Sequence, residues 1–473
     1  MTSVSNAIDV PLQVSYKPIH NESPSYRMKK VPLANLQLDR VTLNQNAVTP
    51  IQWKLPAGCV FNLARSKIVL QLNITTAPGA NNHYYVYEDC VNFIDNIQMG
   101  DAANSTFMCD LSNAGRYTKI ARRLGTQFKD YMTNNGSDNG NFSSLLYASN
   151  RPNASGAATS AGAAAAAFIA QSNINPALPV LGSANLGITN PLEPAYSFRG
   201  PANAALVRTY AVDLDAFKNT IFSYDKDIYM GNSDTYINAN LAPFSRIGYV
   251  SNVDGTAALT AIANNADVTV RNVWLYLACE QNENINAEIK SKYNRDGLTL
   301  YIPYTRTFVF PANSTTGNFQ ISLSPQMGQF LKQVLYVPFN STNTIGTYYD
   351  SGNTTGAKVT RYRTYLGANP LQDDMIDNFN VPESYLIYNG QYCDNTPILN
   401  MTSYFTNWFH LDRFYTSNEI VTDDNNSALG VAMRTPIDYR VESTTVANSI
   451  DHTVFAIFVR VVKLTPLGNT YSQ

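Results

Sequence analysis

Charge is scarce in this chain. Of its 473 residues, 14% are Asp, Glu, Lys or Arg, against roughly 25% in an average globular protein, and the formal net charge is −2. Counterion release on nucleic acid needs clustered Lys and Arg, so direct, sequence-specific nucleic-acid binding is not expected. Histidine is rarer still. His20, His83, His410 and His452 are scattered and form no HExxH, HxH or Cys/His cluster with metal-ligand spacing. The five cysteines, Cys59, Cys90, Cys109, Cys279 and Cys393, are odd in number, far apart and without a CxxC. They read as buried free thiols rather than a disulfide framework or a zinc site. A Walker loop, a GxSxG and a GxGxxG in its strand-to-helix setting are all missing. No catalytic, metal or cofactor-binding residues, and no cofactor, are therefore expected.

Two weaker patterns point the same way. His410 precedes Asp412 by two residues, which in a strand puts them on one face; a structural strand-end role is favoured, because Asp213 holds the corresponding place in the first half. Glu88–Asp89, Asp373–Asp374 and Asp423–Asp424 each supply only two carboxylates, whereas calcium loops need several spaced oxygen ligands.

Long apolar runs are also lacking. The stretch between Arg151 and Glu193 carries no charge over 41 residues, yet its densest apolar part, Ala163 to Ala170, is short, and Pro152, Pro176, Pro179 and Pro191 interrupt the rest. A membrane helix needs about 20 apolar residues, so this segment reads as an inserted surface loop. The opening MTSVSNAIDVPLQVSYKP has neither a basic start nor a continuous apolar core, so synthesis in a cytoplasm without secretion through a signal peptide is expected. Sequons such as Asn21, Asn73 and Asn425 then reflect an abundance of Asn, Ser and Thr.

What is present is β-forming. Tyr and Phe number 30 and 21, and strand-like segments recur at 67–74, 91–99, 205–214, 268–279, 298–303, 319–323 and 453–464 with turn residues between them. Near the middle the period changes. Val273, Leu275, Leu277 and Cys279 alternate as a strand, then Ile285, Ile289 and Tyr293 recur at spacing four behind a cap at Asn284, with Gly297 as terminator. A second helix is expected after Cys109, capped by Asp110 or Ser112 and continuing through Tyr117, Ile120 and Leu124.

The halves echo each other weakly. KIVLQLNI (67–74) pairs with NFQISLS (318–324), NFIDNIQM (92–99) with QFLKQVLY (329–336), VDLDAF (212–217) with FHLDRF (409–414), and DVTV (267–270) with DHTV (451–454). The order is the same throughout, and the offset drops across the interval that holds the uncharged segment. A duplicated β unit with a loop insertion in its first copy accounts for both. The central helix is then a joint whose Ile285, Ile289 and Tyr293 pack against the two units. A helix covering one end of a single large sandwich is the alternative.

VTPIQWKLPAGCVFNLARSKIVLQLNI (48–74), VNFIDNIQMGDAANSTFMCDLSNAGRYTKIARRL (91–124), and the central strand and helix followed by GLTLYIPYTRTFVFP (297–311) together resemble the double jelly-roll major capsid proteins of the tectivirus–adenovirus lineage. The resemblance implies a mainly β fold of two tandem antiparallel eight-stranded jelly rolls joined by a short helix. Its expected divisions are an N-terminal arm (1–40), a first jelly roll (41–281) with the insertion at about 151–193, the joining helix (282–296), a second jelly roll (297–466) and a C-terminal tail (467–473). It further implies a structural protein, not an enzyme, that forms homotrimeric pseudo-hexagonal capsomers of an icosahedral virion. The implied partners are itself, neighbouring capsomers, penton and minor capsid proteins, and an internal membrane. Arg27, Lys29 and Lys30 are candidates for arm contacts to neighbours or to that membrane, a solvated linker being the alternative. A viral spike or penton, or a carbohydrate-binding β-sandwich, remains the competing function.

Overall fold

A computed structural model describes residues 24–34, 40–79, 82–87, 93–101, 107–118, 197–199, 203–231, 234–252, 260–263, 266–311, 317–323, 330–340, 359–366, 369–370, 376–377, 410–413, 431–432, 437–443, 450–466 and 468–471. The first half contains β1 (Tyr26–Val31), β2 (Arg40–Thr42), β3 (Thr49–Lys54), β4 (Val60–Ile74), β5 (Asn82–Tyr87), β6 (Ile94–Asp101), β7 (Phe107–Ser112), β8 (Ser197–Arg199), β9 (Leu206–Asp213), β10 (Ile228–Tyr229), β11 (Thr235–Leu241), β12 (Gly248–Asn252), β13 (Thr260–Ala261) and β14 (Val268–Glu280). Helix α1 (Glu283–Arg295) follows. The second half contains β15 (Leu298–Pro311), β16 (Gly317–Leu323), β17 (Phe330–Asn340), β18 (Val359–Leu366), β19 (Asn369–Pro370), β20 (Ile376–Asp377), β21 (His410–Arg413), β22 (Val431–Ala432), β23 (Ile437–Ser443), β24 (Ile450–Thr465) and β25 (Gly468–Tyr471).

Among the described strands every pairing is antiparallel, and the two halves repeat one topology. In the first, β1 and β2 lie along one edge of β14, β14 pairs β4, and β4 pairs β9 and β10; a second sheet runs β3-β11-β6-β7. In the second half, β15-β24-β17 continues to β21 and β22, and the facing sheet runs β16-β23-β18 to β19 and β20. Counting main strands from one to eight within each half, the sheets read 1-8-3-6 and 2-7-4-5 both times. That double Greek-key order is a jelly roll.

The aligned strands correct part of the expected repeat. VDLDAF and FHLDRF both fall at the sixth strand, and DVTV and DHTV both open the eighth. KIVLQLNI, however, is the third strand of its unit while NFQISLS is the second, and NFIDNIQM is the fourth while QFLKQVLY is the third. Alternation alone matches any strand to any other of equal length. Properly aligned, strand starts differ by 265 residues at the fourth strand (94 to 359) and by 202 at the seventh (235 to 437). The excess in the first copy therefore lies between them, on the connection that includes the uncharged segment. That segment is outside the described residues, but its C-terminal flank β8 pairs β5, and β5 pairs β12 and then β13. This accessory sheet is built from the connections after the third, fifth and seventh strands, which a jelly roll brings to one end.

Packing follows the pleat. Thr235, Ile237, Ala239 and Leu241 of β11 point inward, with half-buried residues between them. In β14 the inward set changes parity. Val268 and Val270 are buried, then Val273, Leu275, Leu277 and Cys279; Asn272 with φ 52° sits where the register to β4 slips between Arg271 and Trp274. This bulge keeps one long strand facing the core on both sides of the slip. Trp53, Phe61, Phe93, Phe217 and Phe222 are among the largest fully buried side chains.

Two sequence-based boundaries shift. Residues 26–31, inside the stretch expected to be an arm, form an edge strand of the first sheet. Residues 107–112, expected to open a helix at Asp110 or Ser112, continue as β7, and the helical turn begins only after Asn113 (φ 54°), at 114–118. Ile120 and Leu124 lie outside the described residues.

Candidate functional site

The junction of the two units gathers side chains that make contacts to both. Helix α1 is capped by Asn282, two residues earlier than the expected Asn284: its Oδ1 accepts from the backbone N–H of Asn284 (3.0 Å) and Ile285 (3.4 Å). Glu283 in the first turn and Lys292 and Arg295 in the last suit the helix dipole. Just before the cap, buried Glu280 accepts through Oε1 from the backbone N–H groups of Ser25 (2.9 Å), Gln281 (2.9 Å) and Asn282 (2.8 Å). One carboxylate thereby ties the start of β1 to the turn from β14 into α1. At the far end Gly297 has φ +76°, and a Cβ there would lie 2.8 Å from the carbonyl oxygen of Leu464. Only glycine satisfies both the left-handed turn and the close approach.

The three expected joint residues are not equivalent. Ile285 is half-buried, Ile289 is half-buried and packs on the core, and Tyr293 is buried. Tyr293 touches both units. Its ring meets Tyr229 edge-on at 4.9 Å between centroids and covers Gly231, where any Cβ would come within 2.7 Å of Cζ. Its hydroxyl donates to the carbonyl of Thr465 in the second unit at 2.9 Å. Burial pushes the phenol upward from its ordinary range.

A second set of contacts joins the units along β7 and β15. Thr305 donates to the Asn219 carbonyl and Thr307 to the Ser112 carbonyl, both at 2.7 Å. Tyr117 stacks at a tilt on Phe455 (5.1 Å) and accepts from Asn219 Nδ2 (2.9 Å). Arg116, 2% exposed, reaches Asp451 Oδ2 at 3.5 Å. Asp95, itself paired to Arg246 at 3.0 Å, also lies in the field of Arg116. Burial raises its carboxyl above the usual range while the two arginines oppose the shift. Arg116, Tyr117, Asn219, Thr305 and Asp451 escape sequence reading because strand alternation marks faces, not the partner a face meets.

Beside Asp451, buried His452 is lowered to about 4 by desolvation. The unfolded residue takes up its proton near 6.5, so stability is lost as pH falls from about 6.5 to about 4, by about 3 kcal/mol. Asp95, with a raised folded value, acts in the opposite direction. Comparing denaturation midpoints of the natural chain and His452→Gln from pH 7 to pH 4 isolates the histidine: the natural chain is expected to lose more. Parallel curves would place no titration there.

The expected arm residues lie on β1. Arg27, Lys29 and Lys30 are exposed; Lys30 Nζ sits 3.4 Å from the centroid of the Trp274 ring, and Lys29 Nζ lies 3.7 Å from Cys59 Sγ. Tyr26 donates to Asp227 at 2.8 Å, and burial, with Asp227, pushes its phenol up to about 12. His410 and Asp412 lie in β21, paired to Tyr336 and Val334 of β17.

Two units of identical strand order, fused through α1, make this chain a double jelly roll. Among solved structures it is similar to the Faustovirus major capsid protein, at 11% identity and a TM-score of 0.52, covering 98% of this chain and 94% of that one. The Sputnik virophage structure (10% identity, TM-score 0.48, 98% and 92% covered) and the mavirus major capsid protein (8%, 0.46, 98% and 94%) also match. No protein-family model and no curated protein matches the sequence. At such identities the likeness concerns the fold.

Proposed function

We propose that this chain is a major capsid protein that assembles as a homotrimeric, pseudo-hexagonal capsomer of an icosahedral virion. The observation that carries the reading is the pair of jelly rolls of equal topology locked side by side by Tyr293 and the Arg116–Asp451 contact. Three such bodies about an axis present six similar lobes, which tile a surface; the fold shared with the Faustovirus major capsid protein supports this use. Closed rotation also covers apolar surface such as exposed Tyr301 and Val309 of β15. The role is structural rather than catalytic. Neighbouring capsomers, penton and minor capsid proteins, and an internal membrane are the proposed partners, with Arg27, Lys29 and Lys30 of β1 as candidate contacts.

The test is the mass of the purified chain by light scattering together with negative-stain imaging. Three chains per particle and a hexagonal outline with threefold symmetry are expected, with subunit interfaces above roughly 2,000 Å². A stable monomer at micromolar concentration would overturn the reading, and glycan binding by that monomer would favour the carbohydrate-binding alternative.

A further inference from the structure

Cys59 and Cys279 stand 220 positions apart in sequence and meet at one end of the first sheet. Cys279 pairs with Phe61 across the β4–β14 ladder, and Cys59 lies two residues before Phe61, just ahead of β4 and beside that end of the ladder. The two thiols are near enough that Cys59 adds to the upward shift of the Cys279 thiol. Cys279 is buried and Cys59 is half-buried, packed on the core edge. Lys29 of β1 places its ammonium 3.7 Å from Cys59 Sγ, and the same charge acts on Cys279. A partly accessible thiol, a sheltered thiol behind it and a cation beside them form the arrangement of an attacking cysteine with its resolving partner.

We infer that Cys59 and Cys279 are a modification site, a dithiol that a peroxide converts to an intrachain disulfide fastening the start of β4 to the end of β14 beside the joint. The chemistry balances in two steps. The Cys59 thiolate attacks one oxygen of hydrogen peroxide, the O–O bond breaks, and the departing hydroxide takes a proton to become water, leaving Cys59 as a sulfenic acid. Cys279 sulfur then attacks Cys59 sulfur, the S–O bond breaks, and the oxygen leaves as water with the Cys279 proton. Two thiols and one peroxide yield one disulfide and two waters. Burial pushes the Cys279 thiol up to about 11, Cys59 adding to the shift and Lys29 opposing it, so the closing step speeds up as pH rises. Cys109, the remaining described cysteine, is fully buried and its thiol is held protonated by that burial.

The test treats the full chain with hydrogen peroxide, then maps peptides under non-reducing conditions. A linked pair of peptides carrying Cys59 and Cys279 is expected, released by a thiol reductant. Closing so long a loop restrains the unfolded chain, so the thermal midpoint should rise on oxidation in the natural chain and stay put in Cys59→Ser, whose half-buried site tolerates the change better than Cys279→Ser. Lys29→Met should slow closure several-fold and Lys29→Arg restore it; equal rates in all three would remove Lys29 from the account. Cys59 recovered as sulfinic acid with Cys279 still a free thiol, or a disulfide linking two chains through Cys59, would overturn the proposal. Neither result bears on the capsomer reading, which stands on particle mass and outline.

Discussion

Arg116→Met is expected to destabilise the folded chain by about 3 kcal/mol, since it removes the buried partner of an ion pair and leaves half-buried carboxylates without it. Met matches much of the volume of the arginine stem, so packing against the second unit survives while the charge goes. Asp451, 3.5 Å from the guanidinium, would then lose that partner, and Asp95, raised by burial and held down partly by Arg116, would keep Arg246 as its remaining cation. The penalty should therefore depend on pH. Loss of Arg116 removes one of the two cations that oppose the upward shift of Asp95, and protonation of Asp95 then removes the uncompensated charge, so chemical denaturation should show a smaller deficit near pH 5 than near pH 8. An equal deficit at both would mean that Arg116 serves by packing alone.

That contact shows where sequence reading stops. Strands, the central helix, its glycine terminator and the duplication are legible because each rests on local chemistry: alternation at period two, apolar spacing at four, a residue free to adopt positive φ. The segments 268–279 and 319–323 nearly coincide with β14 and β16, and α1 lies within the joint expected at 282–296. The helix expected from Cys109 starts later than its cap candidates, at 114. Asp110 and Ser112 look like caps, but Gln98 Nε2 donates to Asp110 Oδ1 at 2.8 Å across the β6–β7 ladder, so tertiary pairing overrides a local capping preference. The repeat slips by one strand for the related reason that alternation carries no address. Long-range geometry of this kind, including Arg116 against Asp451 and Cys59 against Cys279, is written in no stretch of chain shorter than the fold itself.

The joint residues illustrate the same limit within one helix. Spacing of four selects Ile285, Ile289 and Tyr293 equally, yet only Tyr293 is buried, because α1 touches the units chiefly through its last turn, at β10 and β24. The side chain that reaches both units is the one whose ring covers Gly231 and whose hydroxyl meets Thr465.

Tyr293→Ala is therefore expected to have the largest effect at the joint, about 3–5 kcal/mol by the measure of large-to-small aromatic substitutions in cores. Tyr293→Phe keeps the ring against Tyr229 and Gly231 and removes only the hydrogen bond to the Thr465 carbonyl, a loss of about 1 kcal/mol. The difference between the two variants separates ring packing from the polar tether. Calorimetry adds a readout specific to coupling. The natural chain should unfold its two jelly rolls in one transition, Tyr293→Phe should keep that single transition at a slightly lower temperature, and Tyr293→Ala should split it, since the rolls no longer share the ring that spans them. Gly231→Ala should resemble Tyr293→Ala, because a Cβ 2.7 Å from Cζ expels the ring from the same site. A single unshifted transition in Tyr293→Ala would leave the joint to the Thr305, Thr307 and Arg116 contacts alone, and α1 would then be a cover on the junction rather than its coupling.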